Sequence, residues 1–277
     1  MTNTSSIPLA IIPVAGKGTR LAPVTRVLPK AIFPLACPDG SVRPVAELIA
    51  REAFSAGCER VAFVCGAGQD RCLREYFAGE AELAARIDFV TDVEPYGFGW
   101  AVYAARDLAA GRPVMVLLGD HIHLPLGANS PAAQVARAFA TCRPAALIGV
   151  QAVTEDQLRL LGVCRGQREA ENLYRCAGII EKPGIEVARA KLRTDGLPHG
   201  TYLAHAGIYV FSAEIFDCLA PLATGRRAPT EVGLTEAQQI LLARRPEGYK
   251  LLLVRGTTHD MGTAEGLART QAALYPL

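Results

Sequence analysis

A glycine-containing segment near the start of the chain carries the clearest chemical signal. It reads Ala15-Gly16-Lys17-Gly18-Thr19-Arg20, follows an apolar run, and is followed in turn by Lys30. Gly16 and Gly18 are expected to adopt a positive φ and to let a ligand approach the backbone, so that consecutive N–H groups point at anionic oxygens. Lys17, Arg20 and Lys30 add the counter-charge. The segment therefore predicts a loop that binds a polyphosphate.

Two common nucleotide-binding motifs are absent from this segment. A dinucleotide-binding turn needs a third glycine in G-x-G-x-x-G, and a Walker loop needs G-x-x-x-x-G-K-[ST]. The segment has neither pattern. A G-x-G sequence after a strand is also common in ordinary turns, so this alternative stays open for the segment taken alone.

Six further motifs follow the loop in the order found in one enzyme family. They are YGFGWAV (96–102), VLLGD (116–120), IEKP (180–183), AGIYV (206–210), EVGLTEA (231–237) and THDMG (258–262), and Pro29-Lys30 extends the loop motif. Together they resemble the sugar-1-phosphate nucleotidylyltransferases, most closely the bacterial UTP:glucose-1-phosphate uridylyltransferases (UDP-glucose pyrophosphorylases). The resemblance covers nearly the whole chain.

The resemblance implies transfer of a nucleotidyl group from a nucleoside triphosphate to a sugar-1-phosphate, with release of pyrophosphate. The expected substrates are UTP and glucose-1-phosphate. The resemblance assigns catalytic charge neutralisation to Arg20 and Lys30. It assigns nucleotide binding to Ala15, Gly16, Gly18, Thr19, Asp92 and Gly97. An arginine can bind a phosphate through two nitrogens, and a lysine supplies a compact cation. A solvated surface lysine is the alternative interpretation of Lys30.

The same resemblance implies a magnesium site at Asp120 and Asp260. Asp120 ends a strongly apolar run, where a charge is costly unless something compensates it. Magnesium prefers a few carboxylates together with phosphate oxygens and water. His121 and His123 alternate along an extended segment, but no third histidine is near them, which disfavours a transition-metal site. A turn or helix-capping aspartate is the alternative for Asp120.

Sugar-phosphate binding is expected at Glu181, Lys182 and Gly207. A carboxylate can accept hydrogen bonds from two neighbouring hydroxyls, an ammonium can meet the sugar phosphate, and a glycine permits close approach. A charged strand end before Pro183 is the alternative for the first two residues.

Base recognition is the point at which the chain departs from the family pattern. Asp92 occupies the position where the family usually has a glutamine, a few residues before Gly97 of the second motif. Glutamine both donates and accepts hydrogen bonds, as the edge of uracil requires, whereas a carboxylate accepts. The base and the sugar are therefore open, and dTTP, GTP or CTP are alternatives to UTP.

Composition excludes several other classes of protein. The chain has 277 residues, half of them hydrophobic, and a formal net charge of +2 without a long run of Lys or Arg. Nucleic-acid and membrane partners are therefore not indicated, and no apolar run reaches the roughly 20 residues that span a bilayer. Eight scattered cysteines never form C-x-x-C and are expected to be reduced. We expect a cytoplasmic protein with small-molecule substrates.

Hydrophobic periodicity predicts alternating strands and helices. The predicted strands are 8–14, 60–65, 87–90, 114–118, 145–153, 178–181, 207–211 and 249–254. The predicted helices are 45–56, 69–77, 100–108, 131–141, 185–193, 213–219, 234–243 and 263–274. This order indicates an α/β fold, a Rossmann-like three-layer sandwich with a mainly parallel, mixed central sheet and a smaller sugar-binding lobe. We expect one domain over residues 1–277 with a nucleotide-binding half (1–125) and a sugar-phosphate-binding half (126–277).

Two other functions remain as alternatives. A glycosyltransferase that uses a nucleotide sugar would want D-x-D after a central strand, and Asp120-His121-Ile122 does not fit that pattern. A non-catalytic sugar-nucleotide-binding protein could have lost Arg20 or Lys30 freely, yet both are present. The resemblance also implies a possible homo-oligomer, a dimer or a tetramer.

Overall fold

The protein is described by a computed structural model that covers residues 7–224 and 231–275. Its strands are β1 (Leu9–Pro13), β2 (Pro34–Ala36), β3 (Val42–Pro44), β4 (Arg60–Val64), β5 (Ile87–Val90), β6 (Val114–Leu117), β7 (His121–Pro125), β8 (Ala146–Thr154), β9 (Gly162–Arg168), β10 (Leu173–Glu181), β11 (Thr201–Phe211), β12 (Tyr249–Leu253) and β13 (Gly256–Asp260). Its helices are α1 (Val45–Ser55), α2 (Asp70–Ala78), α3 (Ala81–Ala84), α4 (Phe98–Ala104), α5 (Arg106–Ala109), α6 (Pro131–Cys142), α7 (Ile185–Lys191), α8 (Glu214–Thr224), α9 (Leu234–Arg244) and α10 (Ala264–Leu274).

A nine-stranded sheet forms the centre of the molecule, in the order β5-β4-β1-β6-β11-β8-β12-β10-β9. The first four strands are parallel, as is the pair β8 and β12, whereas β9, β10 and β11 run antiparallel to their neighbours. The carboxyl ends of β1, β4, β5 and β6 therefore meet at one edge, which is where ligands bind in open α/β sheets.

Helices cover both faces of this sheet. One core receives Val45 of α1, Leu73 of α2, Phe139 of α6 and Leu274 of α10. The other core receives residues of α4, α5, α8 and α9. The strand residues Leu9–Ile12 are buried on both faces, which explains why β1 reads as a continuous apolar run. The expected three-layer α/β architecture with a mixed sheet is confirmed.

A third, smaller core lies under α7, where Leu158, Val163, Leu192 and Tyr202 pack together. Because β11 contributes residues to all three cores, one long strand joins the parallel part of the sheet to the antiparallel part.

Several elements differ from the sequence-based expectation. Five strands were not predicted, namely β2, β3, β7, β9 and β13. Three of them, β2, β3 and β7, contain a proline, which argues against a strand, and β13 is the polar sequence GTTHD without an apolar alternation. The predicted helix 100–108 is divided into α4 and α5 at Ala105, whose φ of −92° and ψ of 7° interrupt the helix.

The start of α6 follows the helix-capping rules that the sequence displays. Ser130 precedes Pro131 at the start of α6, and its side chain accepts a hydrogen bond from the Ala133 N–H at 3.2 Å, as an N-cap serine does. No helix among the described residues is both long and apolar enough to cross a bilayer.

Candidate active site

The loop after β1 turns sharply at Gly18. This residue has a φ of +60°, and its carbonyl accepts a hydrogen bond from Thr25 Oγ1 at 2.8 Å. A Cβ at Gly18 would also lie 2.8 Å from Thr25 Cγ2, so the position requires glycine. The expectation of a positive φ was wrong for Gly16, where no described atom comes within 4 Å of a built Cβ. Gly16 instead leaves the backbone of the loop open to approach.

Arg20 lies against the turn that follows Asp260. A Cβ built on Gly262 would collide with the Arg20 guanidinium and would come within 2.8 Å of Asp260 Oδ1. The two side chains therefore flank the same glycine, although they come from opposite ends of the chain. Arg20 and Lys17 are both exposed, so their cationic groups are accessible to a dissolved anion.

The first site carboxylate follows β6 and is partly buried. Asp120 Oδ2 forms an ion pair with the Lys30 ammonium, and Oδ1 lies 2.9 Å from His121 Nδ1. The exposed fraction of these side chains is 16% for Lys30 and 20% for Asp120. Burial disfavours the charge on Asp120, but His121 and Lys30 outweigh it and hold the pKa of the carboxyl well below its ordinary value.

Gly119 brings Asp120 close to the glycine loop. A Cβ at this position would overlap the Pro13 carbonyl and lie 2.9 Å from Val14 Cγ1. Because the two backbones touch here, the segment that carries Asp120 is fixed beside the start of the loop. Glycine is therefore required at position 119, because a side chain there would collide with Pro13 and Val14.

The two-stranded ribbon of β7 and β13 brings the second carboxylate to the same place. Asp260 pairs with His121 in the antiparallel register, and the Met261 N–H donates to the Asp120 carbonyl at 2.9 Å. One ligand atom from each of Asp120, His121 and Asp260 lies within 4.8 Å of the others. Residues separated by 140 positions in the chain therefore share one cluster.

The composition of this cluster fits a hard divalent cation. Two carboxylates and an adjacent open loop leave coordination positions for phosphate oxygens and water, which is the arrangement magnesium prefers. The Asp260 side chain is exposed, while its Oδ1 accepts a hydrogen bond from the Gly262 N–H at 2.6 Å. That bond orients the carboxylate toward the cluster and leaves its other oxygen available.

Gly207 sits in a bulge of β11, next to the same cluster. Its φ is +79°, and the register of β11 against β8 shifts between His205 and Ile208. A Cβ at Gly207 would lie 3.2 Å from His121 Cδ2 and 3.0 Å from Leu118 Cδ1. The bulge therefore requires glycine for its backbone and for contact with the β6–β7 turn.

Glu181 and Lys182 lie at the end of β10. Strands β9 and β11 separate them from the cluster of Asp120, His121 and Asp260. Glu181 Oε2 accepts a hydrogen bond from Thr235 Oγ1 at 2.8 Å, and Oε1 lies 3.7 Å from Lys182 Nζ. Lys182 has a φ of +47°, which is uncommon for a residue with a side chain. Both side chains are about half exposed. Their described contacts do not join them to the Asp120 cluster.

Asp92 and Gly97 have backbone roles that the sequence did not indicate. Asp92 is exposed with a φ of +55°, a conformation in which aspartate is enriched. Gly97 has a φ of +107°, and a Cβ there would come within 2.6 Å of the Val232 carbonyl and of Glu231 Cγ. Within the described residues, the contacts of these two positions do not reach Asp120.

Comparison with known proteins identifies the family of the chain. A sequence model of the family described as "Nucleotidyl transferase" matches residues 9–275. The chain belongs to the nucleotidyl transferase family. The family expectation drawn from the motifs is confirmed.

Curated relatives of this nucleotidyl transferase carry one activity in their names. UTP--glucose-1-phosphate uridylyltransferase of Bacillus subtilis is 30% identical, over 94% of this chain and 88% of its own length. UTP--glucose-1-phosphate uridylyltransferase 2 of Staphylococcus saprophyticus is also 30% identical, over 95% of this chain and 90% of its own length.

Solved structures share the fold of the nucleotidyl transferase described above. A UDP-glucose pyrophosphorylase complexed with UDP-glucose superimposes with a TM-score of 0.78 at 24% identity, covering 96% of this chain and 98% of that one. A UTP-bound UGPase from Acinetobacter baumannii gives a TM-score of 0.75 at 22% identity, covering 96% and 93%. A putative glucose-1-phosphate thymidylyltransferase from Bacillus anthracis gives 0.74 at 19% identity, covering 97% and 96%.

The roles of two polar residues of the candidate site were not predicted from the sequence. His121 joins the acidic cluster, and Thr235 bonds Glu181 from the start of α9. The alternation in His121-Ile122-His123 is a period-two signal, which would have predicted strand β7 and thereby the position of His121. Nothing in the sequence near Thr235 indicates its partner.

Proposed function

We propose that this chain transfers the uridylyl group of UTP to glucose-1-phosphate, giving UDP-glucose and pyrophosphate. The observation that carries the proposal is the convergence of Lys30, Asp120 and Asp260 beside the loop that holds Gly18 and Arg20. A cationic loop next to a paired carboxylate cluster suits the binding of a nucleoside triphosphate with its divalent cation. The curated names of the relatives support the choice of substrates.

In the proposed reaction, an oxygen of the sugar phosphate attacks the α-phosphorus of UTP, and the bond to the pyrophosphate oxygen breaks. Both reactants are anions, so the chain must neutralise charge and hold the reacting groups in line. The loop N–H groups of 15–19 and Arg20 bind the triphosphate. Lys30, held by Asp120 inside the cleft, meets the α-phosphate and the incoming phosphate. No covalent enzyme intermediate is required.

Asp120 and Asp260 are the residues that would hold Mg²⁺. Their oxygen donors and the neighbouring open loop fit the cation. When bound, Mg²⁺ supplies charge neutralisation to the triphosphate oxygens. The orientation of Asp260 by the Gly262 N–H is the contribution of this chain to that geometry.

The two halves of the chain divide the substrates in this proposal. Residues 1–125 bind the nucleotide, with Asp92 and Gly97 on the base side, and residues 126–277 bind the sugar phosphate through Glu181, Lys182 and Gly207.

The eight cysteines are unpaired thiols, as is typical of a reducing compartment, which supports a cytoplasmic location. Assembly into a dimer or a tetramer remains part of the proposal.

Product identification tests the function and the base together. Glucose-1-phosphate and Mg²⁺ are incubated with UTP, dTTP, GTP or CTP, and nucleotide sugars are identified by mass spectrometry. We expect UDP-glucose as the main product. Exclusive formation of another nucleotide sugar would overturn the assignment of UTP, and the exposed carboxylate of Asp92 would then be the first residue to substitute. Absence of product over a panel of sugar phosphates would favour the non-catalytic alternative.

A further inference from the structure

His121 lies inside the acidic cluster, yet no step of the proposed reaction uses it. Its side chain is 10% exposed, and its Nδ1 lies 2.9 Å from Asp120 Oδ1. One ligand atom from each of Asp120, His121 and Asp260 lies within 4.8 Å of the others. A nearly buried imidazole nitrogen therefore belongs to the same cluster as the two carboxylates that would hold the cation.

Contacts on two sides fix the orientation of the His121 ring. Asp260 pairs with His121 across the ribbon of β7 and β13, so the two side chains lie on one face of the ribbon. On the side of β11, a Cβ built on Gly207 would lie 3.2 Å from His121 Cδ2 and 3.4 Å from Cγ. The Cδ2 edge of the ring therefore rests on the bulge of β11, and the edge that carries Nδ1 faces Asp120.

The two oxygens of Asp120 have different neighbours. Oδ2 forms the ion pair with Lys30, whereas Oδ1 faces His121 Nδ1. Two ligands at adjacent positions of one divalent cation are about 3 Å apart, because each lies about 2.1 Å from the ion. The 2.9 Å between Oδ1 and Nδ1 matches that separation. These two atoms can thus bind one cation side by side, with an oxygen of Asp260 as the third ligand.

Binding through Nδ1 requires only a change of tautomer. A neutral imidazole carries its proton on one nitrogen and a lone pair on the other. With the proton on Nε2, Nδ1 offers its lone pair to a cation, which then replaces the hydrogen bond between the ring and Asp120. The neutral ring therefore keeps its proton when it becomes a ligand.

We propose that His121 is a nitrogen ligand of the divalent-cation site and makes that site prefer a first-row transition ion, such as Mn²⁺ or Co²⁺, to Mg²⁺. Mg²⁺ prefers oxygen ligands, whereas imidazole suits transition ions. No third histidine is needed, because the other two ligands are the carboxylates of Asp120 and Asp260. Mg²⁺ fills the same site at higher concentration. This inference rests on the cation site of the proposed function and does not depend on the identity of the base or the sugar.

Electron spin echo spectroscopy of Mn²⁺ added to the wild-type chain tests the nitrogen ligand without any variant. We expect modulation from a directly bound nitrogen, and we expect its pattern to change when the chain carries ¹⁵N-labelled histidine. Bound Mn²⁺ without nitrogen modulation would overturn the inference but leave the proposed function standing. Failure to bind Mn²⁺, with or without UTP, would overturn the inference and the proposed cation site together, while pyrophosphate release tests the reaction separately.

The variant His121→Asn identifies the histidine responsible. It should remove the nitrogen modulation and lower the ratio of Mn²⁺ affinity to Mg²⁺ affinity about 10-fold or more, measured by displacement of Mn²⁺ with Mg²⁺. His259→Asn is the matched control, because His259 adjoins Asp260 but pairs with Ile122 and so lies on the other face of the ribbon. A histidine that only hydrogen-bonds Asp120 would, when replaced, weaken binding of both ions alike, and an unchanged ratio would overturn the inference.

Discussion

Lys30 and Asp120 form the pair on which the proposed chemistry depends most. Both side chains are largely withdrawn from solvent and are joined by an ion pair. Breaking such a pair leaves a charge that is poorly solvated, which is more costly than the loss of an exposed pair. The pair therefore keeps the ammonium inside the cleft before any substrate arrives.

Replacing Lys30 by methionine should reduce turnover with little change in nucleotide affinity. The cation stabilises charge that develops on the phosphates, so kcat should fall by about 10² to 10³. Steady-state rates of pyrophosphate release measure the effect. Lys191→Met, at the exposed end of α7, is the matched control. Unchanged kcat in Lys30→Met would remove this residue from the mechanism.

Asp260→Asn should weaken metal binding more than substrate binding. An amide lacks the charge of the carboxylate while keeping its shape, so the Mg²⁺ concentration needed for half-maximal rate should rise at least about 10-fold. A magnesium titration of the rate and direct calorimetry with Mg²⁺ and UTP measure the shift. Asp107→Asn, whose side chain is 85% exposed on α5, should not change it. An unshifted titration in the first variant would place the metal elsewhere.

At the scale of elements, the site depends on a two-stranded ribbon and on a β-bulge. The ribbon of β7 and β13 carries Asp260 to His121, and the bulge of β11 brings Gly207 against the same histidine. Strand β13 shows no hydrophobic period, and among the described strands the ribbon pairs only within itself. The bulge, by contrast, interrupts an apolar strand that pairs on both sides with the central sheet.

Gly207→Ala tests the bulge. A φ of +79° is strained for alanine, and the new Cβ would press on Leu118 and His121, so the free energy of unfolding should fall by about 1–3 kcal/mol. Urea unfolding measures the loss. The control is Gly178→Ala on β10, where a Cβ meets no described atom within 4 Å. Equal loss in both variants would show that the cost comes from strand glycines in general.

The difference between predictable and unpredictable elements has a physical origin. The glycine loop and Asp120 follow strands that are buried on both faces, and such strands produce long apolar runs that the sequence displays directly. The position of Asp260 depends on strand β13, GTTHD, which has no hydrophobic period.

At the scale of the whole molecule, buried histidines link stability to pH. Burial lowers the pKa of His205 and of His123 to about 4. The unfolded chain therefore binds more protons than the folded chain between about pH 6.5 and pH 4. The free energy of unfolding should decrease as the pH falls through this window, and this contribution is fully present above it.

Removal of one buried histidine should make that dependence less steep. Each proton contributes a slope of up to about 1.4 kcal/mol per pH unit, so His205→Leu should reduce the slope between pH 6 and pH 4.5 by up to that amount. Urea unfolding at several pH values gives the slopes, with His199→Leu as the exposed comparison. Identical slopes in His205→Leu and the wild-type chain would show that His205 is not buried in its neutral form.

The whole arrangement, from loop to acidic cluster, is tested most directly by measuring pyrophosphate release while single components are omitted. The account predicts release that requires UTP, glucose-1-phosphate and Mg²⁺ together, and that falls about 10²-fold or more in Asp120→Asn. Release that continues without the sugar phosphate, or an undiminished rate in Asp120→Asn, would contradict it.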